Sequence, residues 1–171
     1  MSKLLLLDIN GLLCCKTNQN ETNLSSIHLK AYHVILRPYY KEFLDFCYKH
    51  FNVGFFTSTT EKNAKIILNN LLTEEQIKNT KLMWFRDRTH LDYESYKTFN
   101  TIKKLNDIYD YPLFNCQYHE HNTILIDDSF NKVRYNEPKN IIICNAFHGD
   151  HNDTHLIELI HKIVEQFELI K

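Results

Sequence analysis

Short apolar runs alternate along this chain with longer stretches in which apolar residues recur every three to four positions. Lys3 precedes four leucines, Leu4 to Leu7, and Val53-Gly54-Phe55-Phe56 and Thr123-Ile124-Leu125-Ile126 repeat the pattern. Runs this short and this apolar read as strands buried on both faces. His28 to Leu36, Lys81 to Phe85 and Asn140 to Cys144 complete the predicted strands. Tyr39, Phe43, Phe46, Cys47 and Phe51 have helical spacing after Arg37-Pro38, with Pro38 in the first turn and Asn52 ending the helix. A second helix is predicted over Glu61 to Leu72, and Thr73-Glu74 opens a shorter one. A further helix is predicted over Thr98 to Tyr109, with Phe99, Ile102, Leu105 and Ile108 inward. The last runs from His155 to Ile170, with Leu156, Leu159, Ile160, Ile163, Val164 and Phe167 on one face. Thr17 to Ser26 is polar and predicted as a loop, and Tyr111 to Asn122 as irregular chain. Strands alternating with helices call for an α/β fold: a central, mostly parallel sheet covered on both sides.

The totals narrow this picture. The 171 residues fit one domain, residues 1–171, with 43% hydrophobic composition and 11 Phe to fill a core. A formal net charge of −1 gives no field favouring nucleic acid. No apolar run reaches transmembrane length, and the N-terminal leucines are too few for a signal peptide. The five cysteines form no CxxC pair, which reads as reduced thiols in an intracellular protein. Cys14 and Cys15 read as small packing residues, with a redox or catalytic thiol as the other reading.

Chemistry gathers where the strands stop. One apolar run ends in Asp8, with Gly11 marking a tight turn; another ends in Thr57-Ser58; a third in Asp127-Asp128. In a parallel sheet these carboxyl ends share one edge, where ligands bind. Carboxylates gathered there repel one another unless a cation joins them, and hard oxygen ligands favour Mg²⁺. Hydroxyls and a lysine beside such a centre suit a phosphoryl group, with Asp8 as the nucleophile that becomes an aspartyl-phosphate. Each residue also has a plainer reading. Asp8 can cap its turn, Thr57-Ser58 can cap the next helix, and Lys103 can be a solvated charge. The histidines His119, His121, His148, His151 and His155 match no closed zinc site and read as solvated. Trp84 and Phe85 read as core, with a peptide groove near Arg86 and His90 as the alternative.

These segments in this order resemble the haloacid dehalogenase (HAD) superfamily of phosphotransferases. Within it, the chain is similar to the phosphatase-like domain of the enzymes that dephosphorylate the RNA polymerase II C-terminal tail. Asp8-Ile9-Asn10-Gly11-Leu12-Leu13 matches the nucleophile motif, and Leu36-Arg37-Pro38 through Phe43-Leu44 the helix start that follows. Phe56-Thr57-Ser58 matches the hydroxyl motif, Ile102-Lys103-Lys104-Leu105 the lysine motif and Ile126-Asp127-Asp128-Ser129 the acidic motif. The resemblance implies a three-layer, Rossmann-like fold without a large cap domain. It implies Mg²⁺ held by Asp8, the Asn10 backbone carbonyl, Asp127 and Asp128. Thr57 and Ser58 would bind phosphate, and Lys103, in preference to Lys104 or Lys97, would neutralise it. The implied partner is a phosphoserine or phosphothreonine protein or peptide such as the polymerase tail, with neither nucleic acid nor membrane bound directly.

One departure bears on activity. The resembled motif has a second Asp two residues after the nucleophile, as general acid and base; here Asn10 stands there, and an amide does neither job. Two readings therefore stand: a Mg²⁺-dependent phosphatase weakened at Asn10, or a phosphoprotein-binding or scaffold module on the same fold. The absence of room for a lid between Leu12 and His28 speaks against a small-molecule phosphatase.

Overall fold

Leu4–Leu7 form β1, the middle strand of the molecule, and every one of the four side chains is fully buried. The computed structural model describes residues 2–17, 25–29, 32–95 and 100–170. In chain order the strands are β1, β2 (Cys14–Thr17), β3 (Ser26–Leu29), β4 (Tyr32–Leu36), β5 (Asn52–Phe56), β6 (Met83–Trp84), β7 (His90–Leu91), β8 (Thr101–Ile102), β9 (Thr123–Asp127) and β10 (Ile141–Ile143). The helices are α1 (Tyr40–His50), α2 (Glu61–Leu71), α3 (Glu74–Asn79), α4 (Asn106–Tyr109), α5 (Phe130–Val133) and α6 (His155–Leu169).

The main sheet has the order β10-β9-β1-β5-β6, and all its pairings are parallel. Strand polarity divides the leucines between two layers. Leu5 and Leu7 pack with Phe43, Leu68, Leu159 and Ile163 under α1, α2 and α6. Leu4 and Leu6 pack on the other face with Trp84, Leu105, Ile108 and Val133. Both faces of β1 are thus covered, as the unbroken leucine run requires. The chain leaves β1 for β5 on one side and returns to β9 on the other, so the connections diverge at the C-terminal end of β1. Such a switch point opens a crevice between the loops.

Beside this edge lies a small antiparallel sheet, β2-β4-β3. The single strand predicted over His28 to Leu36 is two strands of a hairpin, with His28 opposite His33. The predicted loop over Thr17 to Ser26 is bounded by strand at both ends, and residues 18–24 lie outside the described residues. Alternation explains the hairpin: Ile27, Val34 and Leu36 enter the main core, while Ile35 and Cys15 meet Phe147 on the opposite face.

The helix predicted over Thr98 to Tyr109 is a correction. Thr98 and Phe99 lie outside the described residues, Thr101–Ile102 is strand paired with β7, and only Asn106–Tyr109 is helical. Leu105 and Ile108 are buried as the spacing required, but β-branched Thr101 and Ile102 are held extended by their pairing. The first helix begins at Tyr40, after Tyr39 in the left-handed region (φ 61°), and Asn52 starts β5 instead of ending the helix. Val164 is exposed. Among the described residues, no helix is long and apolar enough to cross a membrane.

Candidate active site

Asp8 follows β1 directly, and its N–H donates to Ile126 O at 3.0 Å, extending the β1–β9 ladder by one residue. Register sets Leu7 opposite Ile126, so Asp8 and Asp127 stand side by side. The chain then turns at Gly11, whose φ is +89°. A Cβ at position 11 would lie 2.1 Å from Asp128 Oδ2, so only glycine lets the turn after Asp8 pass the acidic loop.

Asp8, Lys103 and Asp127 are almost entirely buried. The Lys103 ammonium lies 3.1 Å from Asp8 Oδ1 and 2.5 Å from Asp127 Oδ2. On the opposite side the Lys132 ammonium lies 3.6 Å from Asp8 Oδ2 and 3.7 Å from Asp128 Oδ1. The two aspartates beside Lys103 part in behaviour. Burial works to raise the Asp8 pKa, but Lys103, Lys132 and a hydrogen bond from Thr57 together hold it below the ordinary carboxylate value. Burial raises Asp127 to about 6; Lys103 opposes this and the Asp8 charge adds to it. Asp8 is the more readily ionised member of the pair, and a carboxylate nucleophile needs the ionised state.

Thr57 and Ser58 end β5 at the same edge. Thr57 is buried, accepts from the Thr59 N–H at 3.2 Å and bonds to Asp8, while Ser58 Oγ meets Thr101 Oγ1 at 2.7 Å. Neither caps α2, whose N-cap is Thr60. Lys103 reaches the site from a loop between β8 and α4, not from a helix. Asn136 fixes that loop, donating to Lys103 O at 2.8 Å and accepting from Leu105 N–H at 2.7 Å. Lys104 points to solvent, and Lys97 lies outside the described residues. Asp8, Asn10, Thr57, Ser58, Arg86 and Lys132 line a cleft of about 300 Å³, rimmed by Lys16, Tyr32 and Asn63.

Two contributors escaped the sequence reading. Lys132 lies in α5 and follows Asp128 at i,i+4, and that spacing was the available signal. Arg37 is fully buried and donates from Nη1 to Gly11 O, Leu12 O and Asn145 O at 3.2, 3.2 and 2.9 Å. It grips the turn after Asp8 through these carbonyls. Its place in the helix-start motif marks the position without a role for the side chain, because its carboxylate partner, Asp153, is 116 positions away.

Other candidates separate from the site. Trp84 and Phe85 are core, and His90 pairs with Asp107 at 2.6 Å. Cys14, Cys15, Cys47 and Cys144 are buried free thiols whose pKa values burial raises, which suits packing instead of redox work.

Among the described residues, Asp8, Asp127 and Asp128 are the group whose ligand atoms approach closely enough for one metal ion, all within 4.8 Å. The buried Oδ1 atoms of Asp8 and Asp128 meet lysine ammonium groups at 3.1 and 3.7 Å, and the Asn10 side-chain Oδ1 is buried without a hydrogen-bond partner. Hard carboxylate oxygens gathered this closely at one strand edge fit a small divalent cation such as Mg²⁺.

With this geometry in place, comparison with known proteins gives a consistent result. Residues 3–169 match the family of NLI interacting factor-like phosphatases. A putative CTD phosphatase-like protein of Invertebrate iridescent virus 3 is 27% identical over 97% of both chains. An uncharacterized FCP1 homology domain-containing protein of Schizosaccharomyces pombe is 28% identical, over 88% of this chain and 64% of its own length. Among solved structures, fission yeast Fcp1, an RNA polymerase II CTD phosphatase, superposes with a TM-score of 0.61 at 16% identity. That match covers 99% of this chain and 52% of the Fcp1 chain, so this chain spans about half of the solved Fcp1.

Proposed function

Since the chain belongs to the NLI interacting factor-like phosphatase family, we propose that it hydrolyses phosphate monoesters through a covalent phosphate on Asp8. One observation carries this reading: a buried carboxylate kept ionised between Lys103 and Lys132, with the Thr57 hydroxyl beside it. Asp8 Oδ attacks phosphorus, the P–O bond to the leaving oxygen breaks, that oxygen takes its proton from solvent, and an aspartyl-phosphate forms. Water then attacks that phosphorus, releasing inorganic phosphate and restoring the carboxylate. Lys103 and Thr57 balance charge on the transferring oxygens, which is where positioned donors lower a phosphoryl-transfer barrier. Mg²⁺ held by Asp8, Asp128 and the Asn10 carbonyl, with Asp127 directly or through water, would supply further positive charge against the attacking and transferring anions.

The substrate in this reading is a phosphoserine or phosphothreonine peptide. Support comes from a cleft flanked by a small antiparallel sheet and no large cap among the described residues, and from relatives described as CTD phosphatase-like. The phosphorylated RNA polymerase II tail is the first peptide to test. Asn10 favours a second reading, a phosphopeptide-binding module of low turnover, because this side chain carries no titratable proton.

The deciding experiment is Mg²⁺-dependent hydrolysis of an aryl phosphate by the wild type and Asp8→Asn. The aryl leaving group needs little acid help, so turnover above the variant supports the enzyme. A wild type no faster than Asp8→Asn that still binds phosphorylated tail peptide would move the assignment to the binding module.

A further inference from the structure

Lys132 belongs to none of the motifs that define the site, yet its ammonium also faces Asp8, on the other carboxylate oxygen and at longer range than Lys103. Lys103 covers Asp8 Oδ1 and Asp127; Lys132 covers Asp8 Oδ2 and Asp128 Oδ1. The two lysines differ in freedom. Lys103 is fully buried and bonded, whereas the Lys132 side chain is 29% exposed and its ammonium stands at ion-pair distances longer than a hydrogen bond. The backbone of Lys132 is nonetheless anchored: its carbonyl accepts from Lys103 N–H at 2.7 Å and its own N–H donates to Ser129 O at 3.0 Å. A fixed root with a long, partly exposed stem makes an arm that can swing.

Asp8 and Asp128 are also two of the three carboxylates that can hold a divalent cation. An ammonium and a divalent cation repel each other strongly at such separations, so they cannot both hold these oxygens closely. The open direction for the displaced ammonium is the cleft it already lines beside Asn10 and Thr57. There a phosphoryl group approaching Asp8 offers anionic oxygens, which ammonium groups bind well.

We propose that Lys132 is a phosphate-binding arm that competes with Mg²⁺ for Asp8 and Asp128 and turns onto the phosphoryl oxygens when the metal takes them. The proposal rests on the phosphatase reading of the site and adds to it an ordered coupling: metal frees the arm, and the arm then holds the phosphate.

Calorimetric titration tests it directly, with MgCl₂ alone and then with inorganic phosphate at saturating Mg²⁺, on wild type, Lys132→Met and Lys132→Arg. Lys132→Met is expected to bind Mg²⁺ about tenfold tighter and phosphate about tenfold weaker, the scale of one charge-assisted hydrogen bond. Lys132→Arg is expected to restore phosphate affinity to within about threefold, because it keeps the charge. A wild-type melting temperature in both variants establishes that the fold is kept. Unchanged phosphate affinity in Lys132→Met, or weaker Mg²⁺ binding, overturns the role of Lys132 while leaving the phosphatase reading intact. A folded wild type that binds neither Mg²⁺ nor phosphate overturns both.

Discussion

Arg37 and Asp153 are joined by two parallel hydrogen bonds, Nε to Oδ1 and Nη2 to Oδ2, each 2.8 Å long. Through the same guanidinium the 145–153 segment is tied to the carbonyls of Gly11 and Leu12. The Arg–Asp fork therefore fastens the turn after Asp8 to a loop from the far end of the chain. Arg37→Ala is expected to lower unfolding free energy by about 3–5 kcal/mol, because it leaves the Asp153 carboxylate without its counter-ion and takes the guanidinium donor from the Leu12 and Asn145 carbonyls. Arg37→Lys should recover only part of this, since one ammonium cannot reproduce the fork. Urea unfolding followed by circular dichroism measures both; a loss below about 1 kcal/mol for Arg37→Ala would contradict the role.

Asn10 sets a prediction about leaving groups. Asn10→Asp supplies a group able to protonate the leaving oxygen, so it should accelerate hydrolysis of a phosphoserine peptide by about 10²–10³-fold. An aryl phosphate should gain less than about tenfold, since its leaving group needs little help. Steady-state kcat/KM on the two substrates checks the contrast, and an equal gain on both would place the missing chemistry elsewhere.

His155 predicts a pH dependence of stability. Its Nε2 accepts from the Asn145 N–H at 3.1 Å, and burial, followed by the Arg37 charge, lowers its pKa below 6.5. Protonation would set N–H against N–H. The folded state therefore favours the neutral ring, and its stabilising contribution is full above pH 6.5 and lost as pH falls through the lowered value. Asp127, raised to about 6, works with the opposite sign as pH falls below that value. The informative quantity is thus the melting temperature of the wild type minus that of His155→Gln, which should decrease from pH 7.5 to 5. A difference independent of pH would remove His155 as the cause.

Gly11→Ala should disrupt the acidic loop as well as the turn. Its Cβ would meet Asp128 Oδ2 at 2.1 Å and Cγ at 2.3 Å. Gly149 is the natural control: its φ is +97°, but a Cβ there meets nothing nearer than Ile35 Cδ1 at 3.5 Å. Both substitutions should cost about 1–3 kcal/mol of stability from backbone strain. Only Gly11→Ala should weaken Mg²⁺ binding, by more than about tenfold. Equal metal affinities in the two variants would dissociate Gly11 from the acidic loop.

The legible parts of this chain were those encoded locally. Leu4 to Leu7 announce a doubly covered strand, and a carboxylate straight after such a run has few structural excuses, so Asp8, Thr57 and Asp127 could be placed at one edge before any coordinates. The segment around Lys103 was misread because Leu105 and Ile108 satisfy a helical period that four helical residues already fulfil. The pairing of Thr101 and Ile102 with His90 and Leu91 is long-range and leaves no local mark. Arg37 was hidden for the same reason, its bonds reaching Asn145 and Asp153. Lys132 was overlooked because a lysine one turn from an aspartate commonly marks a solvated helix face.

The close passage of Gly11 beside Asp128 has a consequence for descent. Two motifs distant in sequence occupy one steric space, so neither can drift freely while the other is kept. Homologues that abandon the chemistry should therefore lose the glycine and the second acid of the pair together, and a lineage retaining Gly11 with a full-sized residue at position 128 is still under selection to keep that space filled.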